Sequence, residues 1–211
     1  MTPEKKAAEE ARLMEMRVFE REYEEQDLIV CGIDEAGRGP LAGPVAAGAV
    51  ILPKDLVLYY LNDSKKVTPR RREILFDEIK KNAVSWQVAL VSEKEIDAIN
   101  ILQATYEAMR KAVDGLSVKP DMLLVDAVTI PEISIRQQGI VKGDAKSVSI
   151  AAASILAKVT RDHLMEEYDT LYPEYGFGKH KGYGTKQHVE AIRKYGPCPI
   201  HRMTFLKNIL S

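Results

Sequence analysis

Apolar residues are spaced as in helices in some segments of the chain and as in strands in others, which predicts an α/β fold. Between residues 13 and 19 they lie among Glu and Arg, a pattern typical of an amphipathic helix that extends to about Gln26. From Leu28 the chain changes to short apolar runs bounded by Gly, Pro, Asn and Asp. The predicted strands are residues 28–33, 45–52, 86–91 and 122–125.

Capping signals indicate where the helices begin. Thr68 followed by Pro69 is typical of a helix start, and Ser92 with Glu95 fits a capping box. Further helices are predicted over residues 102–113, from about 147 to 168, and from 185 to 196. Strands that alternate with helices indicate a mixed sheet covered by helices.

Composition and charge divide the chain into two parts. It has 211 residues, of which 45% are hydrophobic and 29% charged, values that argue against disorder and coiled coils. The net charge is −1, but residues 1–27 alone hold five Lys or Arg and nine Asp or Glu. We expect residues 1–27 to form an acidic helical extension that is dispensable for chemistry, and residues 28–211 to form the main domain.

The apolar runs and the two cysteines indicate in which cellular compartment the protein is expected. The longest apolar runs, residues 44–53 and 148–157, are too short to span a bilayer, and residues 1–27 do not resemble a signal peptide. Cys31 and Cys198 are too few for a disulfide framework and match no zinc-ligand spacing. We therefore expect a cytoplasmic protein, a monomer that does not bind membranes.

Two adjacent carboxylates, Asp34 and Glu35, follow the first predicted strand. Like charges repel, and burial raises the pKa of each carboxyl group, so a positive group is expected between them. Oxygen ligands favour Mg²⁺ or Mn²⁺ over zinc. For this pair alone, an ordinary turn at the end of a strand is the alternative.

Two further acids lie next to apolar segments. Asp126 ends the run 122–125, and if that strand is parallel to the first, Asp34 and Asp126 both lie at the carboxyl end of the sheet, where α/β active sites form. Asp144 comes just before a run of small apolar residues that predicts a helix. Capping that helix is the alternative role for Asp144.

The glycine-rich stretch 37–42 also satisfies the loose dinucleotide fingerprint G-x-G-x-x-A. The two preceding carboxylates would repel a pyrophosphate, and Pro40 and Pro44 disrupt the helix whose N-terminus should hold it. Glycines on both sides of Arg38 instead let the backbone approach a sugar-phosphate closely.

Basic residues are concentrated near the C-terminus. Residues 179–194 contain five Lys or Arg and Glu190 as the single acid, which indicates a surface for a polyanion. A solvated helix face is the alternative explanation.

Taken together, these motifs resemble bacterial ribonuclease HII, the type 2 ribonuclease H family. The matching stretches are residues 34–39, 63–66, 125–126, 142–144, 149–158 and 179–186, in the family's order within about residues 28–207. The resemblance implies a ribonuclease H-like fold, a mixed five-stranded sheet flanked by helices, with a helical C-terminal part that helps to bind substrate. It implies an endonuclease that cuts the RNA strand of RNA/DNA hybrids and incises 5′ of ribonucleotides in duplex DNA, leaving 3′-hydroxyl and 5′-phosphate ends.

The same resemblance assigns roles to individual residues. The catalytic ligands of Mn²⁺ or Mg²⁺ would be Asp34, Glu35, Asp126 and Asp144. The sensor of an RNA-to-DNA junction would consist of Gly37, Arg38, Gly39 and Tyr183. Phosphate contacts are expected from Lys65, Lys146, Lys181 and Lys186. Structural roles are expected for His180, His188 and His201.

Two other functions remain open on the sequence alone. One is a catalytically silent hybrid-binding module, against which the presence of all four carboxylates argues. The other is a metal nuclease of the same fold that acts on branched DNA, against which the Gly37–Gly39 stretch and Tyr183 argue.

Overall fold

A five-stranded mixed sheet forms the centre of the chain, of which the computed structural model describes residues 1–210. The strands are β1 (Val30–Ala36), β2 (Val45–Ile51), β3 (Ser85–Val91), β4 (Met122–Asp126) and β5 (Arg136–Ile140). β2 pairs antiparallel with β1 and β3, whereas β4 pairs parallel with β1 and β5. Ile33 pairs with Val125, so the carboxyl ends of β1 and β4 meet, as the sequence analysis required for a shared acidic site.

Helices cover both faces of the sheet and form the C-terminal part. They are α1 (Pro3–Met16), α2 (Val18–Glu24), α3 (Pro69–Asn82), α4 (Glu93–Asp114), α5 (Val148–Leu171), α6 (Phe177–His180), α7 (Lys186–Tyr195) and α8 (Lys207–Leu210). α3 and α5 pack on one face of the sheet, and α4 packs on the other. Within residues 1–210, no helix combines the length and the apolar content that a membrane crossing needs.

Most predicted helices and strands are confirmed, with some differences. The two helices predicted between residues 92 and 113 are one segment, α4, interrupted at Asn100, where φ is +69°. The N-terminal helix is divided into α1 and α2 at Arg17. The apolar pattern did not predict β5, because this edge strand is polar and partly exposed.

α5 lies directly against the backbone of β1 and β2. A Cβ atom on Gly32 would lie 2.1 Å from the carbonyl carbon of Ser149, and one on Gly48 would lie 2.5 Å from the carbonyl oxygen of Ala153. Only glycine fits at both positions in the sheet. This close contact sets the position of the first turn of α5, which follows the loop that carries Asp144.

The N-terminal helices pack on the domain. Leu13 and Met16 belong to the same apolar cluster as α3 and α5. Glu20 is 1% exposed, and its Oε1 accepts hydrogen bonds from the Ser147 hydroxyl and, at 2.9 Å, from the Ser149 N–H. Burial raises the pKa of Glu20. The helical character of residues 1–27 is thus confirmed, and the division of the chain at residue 27 stays a prediction.

We expect Glu20→Ala to lower the free energy of unfolding by about 1–3 kcal/mol, because two buried donors at the start of α5 lose their acceptor. Glu20→Gln keeps an acceptor oxygen and should lose much less. Urea unfolding of the full chain measures both variants, with the exposed Glu22→Ala as the matched control. Unchanged stability in Glu20→Ala would contradict the role of this contact.

Candidate active site

Four carboxylates line one cleft of about 480 Å³ at the carboxyl ends of β1 and β4. Asp34 and Glu35 lie near the end of β1, and Asp126 is the last residue of β4. Asp144 lies in a short 3-10 helix, Gly143–Ala145, before α5. The structure therefore brings together the four acids that the sequence analysis selected.

The loop that carries Asp144 is held by hydrogen bonds at both ends. Asp126 Oδ1 accepts from the Gly143 N–H at 2.7 Å. At the other end, the Ser147 hydroxyl oxygen accepts from the Ile150 N–H at 3.1 Å and caps α5. Because Ser147 is the cap, the carboxylate of Asp144 is not needed for this purpose.

Burial and mutual repulsion raise the pKa values of the acids in the cleft. Asp34 is 6% exposed, and its pKa is well above the usual range, first because of burial and then because of the charges of Glu35 and Asp126. Burial also raises the pKa of Glu35, and the opposing effect of Arg38, 3.5 Å away, is smaller. For Asp144, burial and the neighbouring Asp63 raise the pKa. The cations that line the cleft thus do not offset the effect of burial and mutual repulsion on the pKa values of these carboxyl groups.

This donor set fits a divalent cation. The four side chains offer carboxylate oxygens only, the ligands that Mg²⁺ and Mn²⁺ prefer, and a cation would relieve their repulsion. Among the described residues, no three His, Cys, Asp or Glu side chains are already arranged around a common point as metal ligands. Asp34 Oδ1 accepts from the Glu35 N–H, and Glu35 Oε1 faces Arg38.

The predicted sensor residues meet beside the carboxylates. A Cβ atom on Gly39 would lie 3.7 Å from Cε1 of Tyr183, whose side chain is 44% exposed. The Leu41 N–H donates to the Gly182 carbonyl at 2.8 Å and joins the two loops. Residues 37–39 and Tyr183 line the same cleft as the acids.

Two buried arginines, which the sequence analysis missed, hold these loops. Arg202 donates to the carbonyl oxygens of Gly37 at 2.6 Å, Arg38 at 2.9 Å and Gly43 at 2.9 Å. Arg161 donates to the carbonyls of Ala42, Pro44 and Lys181 at 2.9 to 3.0 Å. Both guanidinium groups are almost fully buried and have only carbonyl partners in these contacts. No periodic pattern in the sequence indicates these two arginines, because the carbonyl groups that they contact are distant in the sequence.

The four predicted phosphate-binding lysines lie in different places. Lys65 lines the cleft, and Lys146 lies in a neighbouring groove. Lys181 Nζ is engaged with Glu166 and the Gly178 carbonyl, both at 2.6 Å. Lys186 is exposed on α7, 3.9 Å from Glu190.

Further cationic side chains line the cleft, whereas the predicted structural histidines lie outside it. Arg72 and Lys158 also line the cleft, although the sequence analysis did not select them. The expected structural histidines, His180, His188 and His201, are buried and are absent from the lining of the cleft. Positive charge in the cleft therefore comes from a different set of residues than the C-terminal basic cluster.

The chain is similar to known proteins over most of its length. A family model described as "Ribonuclease HII" matches residues 31–208. The chain belongs to the ribonuclease HII family. As a member of that family it is an endoribonuclease of the ribonuclease H type, which confirms the resemblance seen in the motifs and argues against a silent binding module.

Relatives and solved structures agree with this assignment. The ribonuclease HII of Clostridioides difficile (strain 630) is 59% identical over 203 residues, which are 96% of this chain and 80% of the relative. That of Lachnoclostridium phytofermentans is 57% identical over 208 residues, 99% of this chain and 82% of the relative. The crystal structure of the ribonuclease H2 from Pyrococcus horikoshii OT3 superposes with a TM-score of 0.71 at 32% identity, over 86% of this chain and 96% of that chain. The predicted ribonuclease H-like fold is thus confirmed.

We expect Asp34→Asn to raise the melting temperature of the ribonuclease HII chain in EDTA at neutral pH. The pKa of Asp34 is raised on folding, so its ionised form costs folding free energy, and this cost grows as pH rises above the pKa of the unfolded chain. As pH falls and Asp34 becomes protonated, the difference should disappear.

Thermal unfolding from about pH 4 to about pH 8 measures this difference. The exposed Asp114→Asn serves as the control. A lower melting temperature for Asp34→Asn at neutral pH would contradict the expected repulsion.

Proposed function

We propose that this chain cleaves the RNA strand of RNA/DNA hybrids and incises on the 5′ side of ribonucleotides embedded in duplex DNA, leaving 3′-hydroxyl and 5′-phosphate ends. The observation that carries this proposal is the position of Tyr183 against Gly39, in the cleft that the four carboxylates line. Selective cleavage beside a ribonucleotide requires a group that reads the 2′-hydroxyl close to the groups that promote hydrolysis.

In this proposal the four carboxylates hold Mn²⁺ or Mg²⁺. Such ions, when bound, lower the pKa of water and neutralise charge that develops on the phosphate and on the leaving oxygen. The chain supplies fixed negative donors: Asp34 from β1, Asp126 from β4, and Asp144 from the loop that Asp126 holds through the Gly143 N–H. No histidine lines the cleft among the described residues, which agrees with hydrolysis that uses no imidazole base.

The proposed sensor reads two consecutive sugars, the ribose on the 3′ side of the cleavage site and the deoxyribose that follows it. The backbone of residues 37–39 approaches the 2′-hydroxyl, and φ of +93° at Gly37 is a conformation that suits glycine. The exposed ring of Tyr183 stacks on the following deoxyribose. Lys65, Arg72 and Lys158 contact phosphates, which supply affinity without reading sequence.

Residues 1–27 contribute no side chain to the lining of the cleft. We therefore keep the proposal that chemistry does not need them, while their packing on α5 contributes to stability. A monomeric state and a cytoplasmic location likewise remain proposals.

Asp34→Asn and Asp126→Asn should fold and bind hybrid but cleave it roughly a hundredfold more slowly or worse, since each removes a negative ligand with little change in shape. The assay compares an RNA/DNA hybrid, a DNA duplex with one ribonucleotide and a DNA junction, each with Mg²⁺ or Mn²⁺. Asp114→Asn is the control. Near-normal rates in either variant at saturating metal would reject the assignment, and cleavage of the junction in preference to the other substrates would favour a nuclease for branched DNA.

Tyr183→Ala should slow single-turnover incision at a single ribonucleotide by on the order of a hundredfold, because the scissile phosphate loses the contact that positions it. Binding should change less, since phosphate contacts remain. Tyr183→Phe keeps the ring and should keep most of the rate. The exposed Tyr195→Ala is the matched control. Equal rates for Tyr183→Ala and wild type would show that this residue is not the sensor.

A further inference from the structure

Three buried histidines and the partly buried Cys198 form a cluster next to Tyr183. His188 is fully buried, His201 is 3% exposed and His180 is 9% exposed. The rings of His180 and His188 stack with centroids 4.4 Å apart, and His188 Nε2 lies 3.0 Å from His201 Nε2. Burial lowers the pKa of both His188 and His201 to about 4, so the two rings are neutral at physiological pH.

The hydrogen-bond partners assign one tautomer to each ring of this pair. The Tyr183 carbonyl oxygen can only accept, so His188 Nδ1, at 2.9 Å, carries the proton and donates. His188 Nε2 is then bare and accepts from His201 Nε2–H. His201 Nδ1 is bare in turn and accepts from the Cys198 N–H at 2.9 Å.

The cysteine side chain agrees with this assignment. Burial raises the pKa of the Cys198 thiol to about 11, so the thiol is protonated and donates to His201 Nδ1 at 3.1 Å. The opposite tautomer of His201 would donate to the Cys198 carbonyl at 3.3 Å and would place two bare nitrogens 3.0 Å apart. Cys198, His201 and His188 therefore form a directional chain of hydrogen bonds, the imidazole relay, that ends on the Tyr183 carbonyl.

The relay holds the backbone of one half of the sensor. His188 fixes the carbonyl of Tyr183, and His180 Nδ1 accepts from the Gly182 N–H at 3.2 Å. Hydrogen bonds with imidazoles thus hold the backbone before Tyr183, at the Gly182 N–H, and after its Cα atom, at the Tyr183 carbonyl. Gly182, at φ of +84°, needs such support because its backbone has many accessible conformations.

The other half of the sensor, the Gly37–Gly39 loop, is held by Arg202, the residue next to His201. Arg202 follows His201 directly and donates to the carbonyls of Gly37 and Arg38. The pair His201–Arg202 is therefore linked to Tyr183 through His188 and contacts the Gly37–Gly39 loop through the Arg202 side chain. We expect a substitution of His201 to change the position of Tyr183 relative to that loop while all four carboxylates remain in place.

We propose that the imidazole relay is a positioning element that sets Tyr183 against the Gly37–Gly39 loop and thereby determines how strongly the enzyme prefers a ribonucleotide–deoxyribonucleotide junction over a continuous hybrid. The proposal rests on the proposed role of Tyr183 in sensing that junction. His188 and His201 are positioning residues, since neither lines the cleft.

The test compares two polar variants of similar size. His201→Gln places an amide donor near the position of Nε2 and keeps the bond to His188, whereas His201→Asn reaches only the position of Nδ1 and loses it. The readout is the ratio of kcat/KM on a duplex with one ribonucleotide to kcat/KM on a continuous RNA/DNA hybrid. His201→Asn should lower this ratio roughly tenfold, as expected for a small misplacement, and His201→Gln should keep it close to that of wild type.

A double-mutant cycle with Tyr183→Ala separates positioning from general destabilisation. If the relay acts through Tyr183, His201→Asn lowers the ratio in wild type and changes it no further in Tyr183→Ala. Equal loss on both substrates, or additive effects, would overturn the proposal. If Tyr183→Ala lowers the ratio and His201→Asn does not, the relay fails while the sensor stands. If Tyr183→Ala leaves the ratio unchanged, both fail.

A measurement on the wild-type chain makes the proposal testable even if His201→Asn does not fold. Nitrogen-15 NMR of the imidazoles distinguishes the protonated from the bare ring nitrogen. We expect His188 protonated at Nδ1 and His201 protonated at Nε2, both neutral at physiological pH. Another tautomer for either ring, or a charged ring, would overturn the relay.

Discussion

The contact between α5 and the backbone of β1 and β2 is the constraint on which the site depends. Because Gly32 and Gly48 have no side chains, the helix lies directly on the sheet. Its first turn then follows the loop of Asp144, and a later turn directs Arg161 toward the Gly37–Pro44 loop. One helix thus positions an acid on one side of the cleft and a cation on the other, and any Cβ atom at the two glycines would displace both.

Charges of both signs are buried in this site with little direct pairing. Within residues 1–210 no Lys or Arg forms an ion pair with Asp34, Asp126 or Asp144, and Arg161 and Arg202 contact carbonyl oxygens in place of carboxylates. Hydrogen bonds to a charged group contribute about 1.5–3 kcal/mol each, which helps to offset the cost of burying a guanidinium. The arrangement leaves Asp34 and Asp126 free for a cation, and Arg202 holds three carbonyls in the stretch from Gly37 to Gly43.

The sequence predicted the acids better than the residues that position them. Asp34 and Asp126 follow apolar runs, so local pattern alone indicates two acids near strand ends, and the parallel pairing of β1 and β4 in the structure brings them to one edge of the sheet. Arg202 and Gly37 are 165 positions apart, and no local pattern can indicate that they meet. The ammonium group of Lys181 pairs with Glu166, a contact that charge in the sequence does not reveal, and its role at a phosphate stays a prediction. Strand β5 was missed by the apolar pattern because an edge strand can be polar.

The contact between Glu20 and the start of α5 has a consequence for biosynthesis. Glu20 and Ser149 are 129 positions apart, so the ribosome releases α2 long before it has made the turn on which α2 packs. During that interval Leu13, Met16 and Tyr23 have no apolar partners from α5. The same segment carries nine Asp or Glu against five Lys or Arg, and a net charge of this kind opposes association between the exposed apolar side chains of nascent chains.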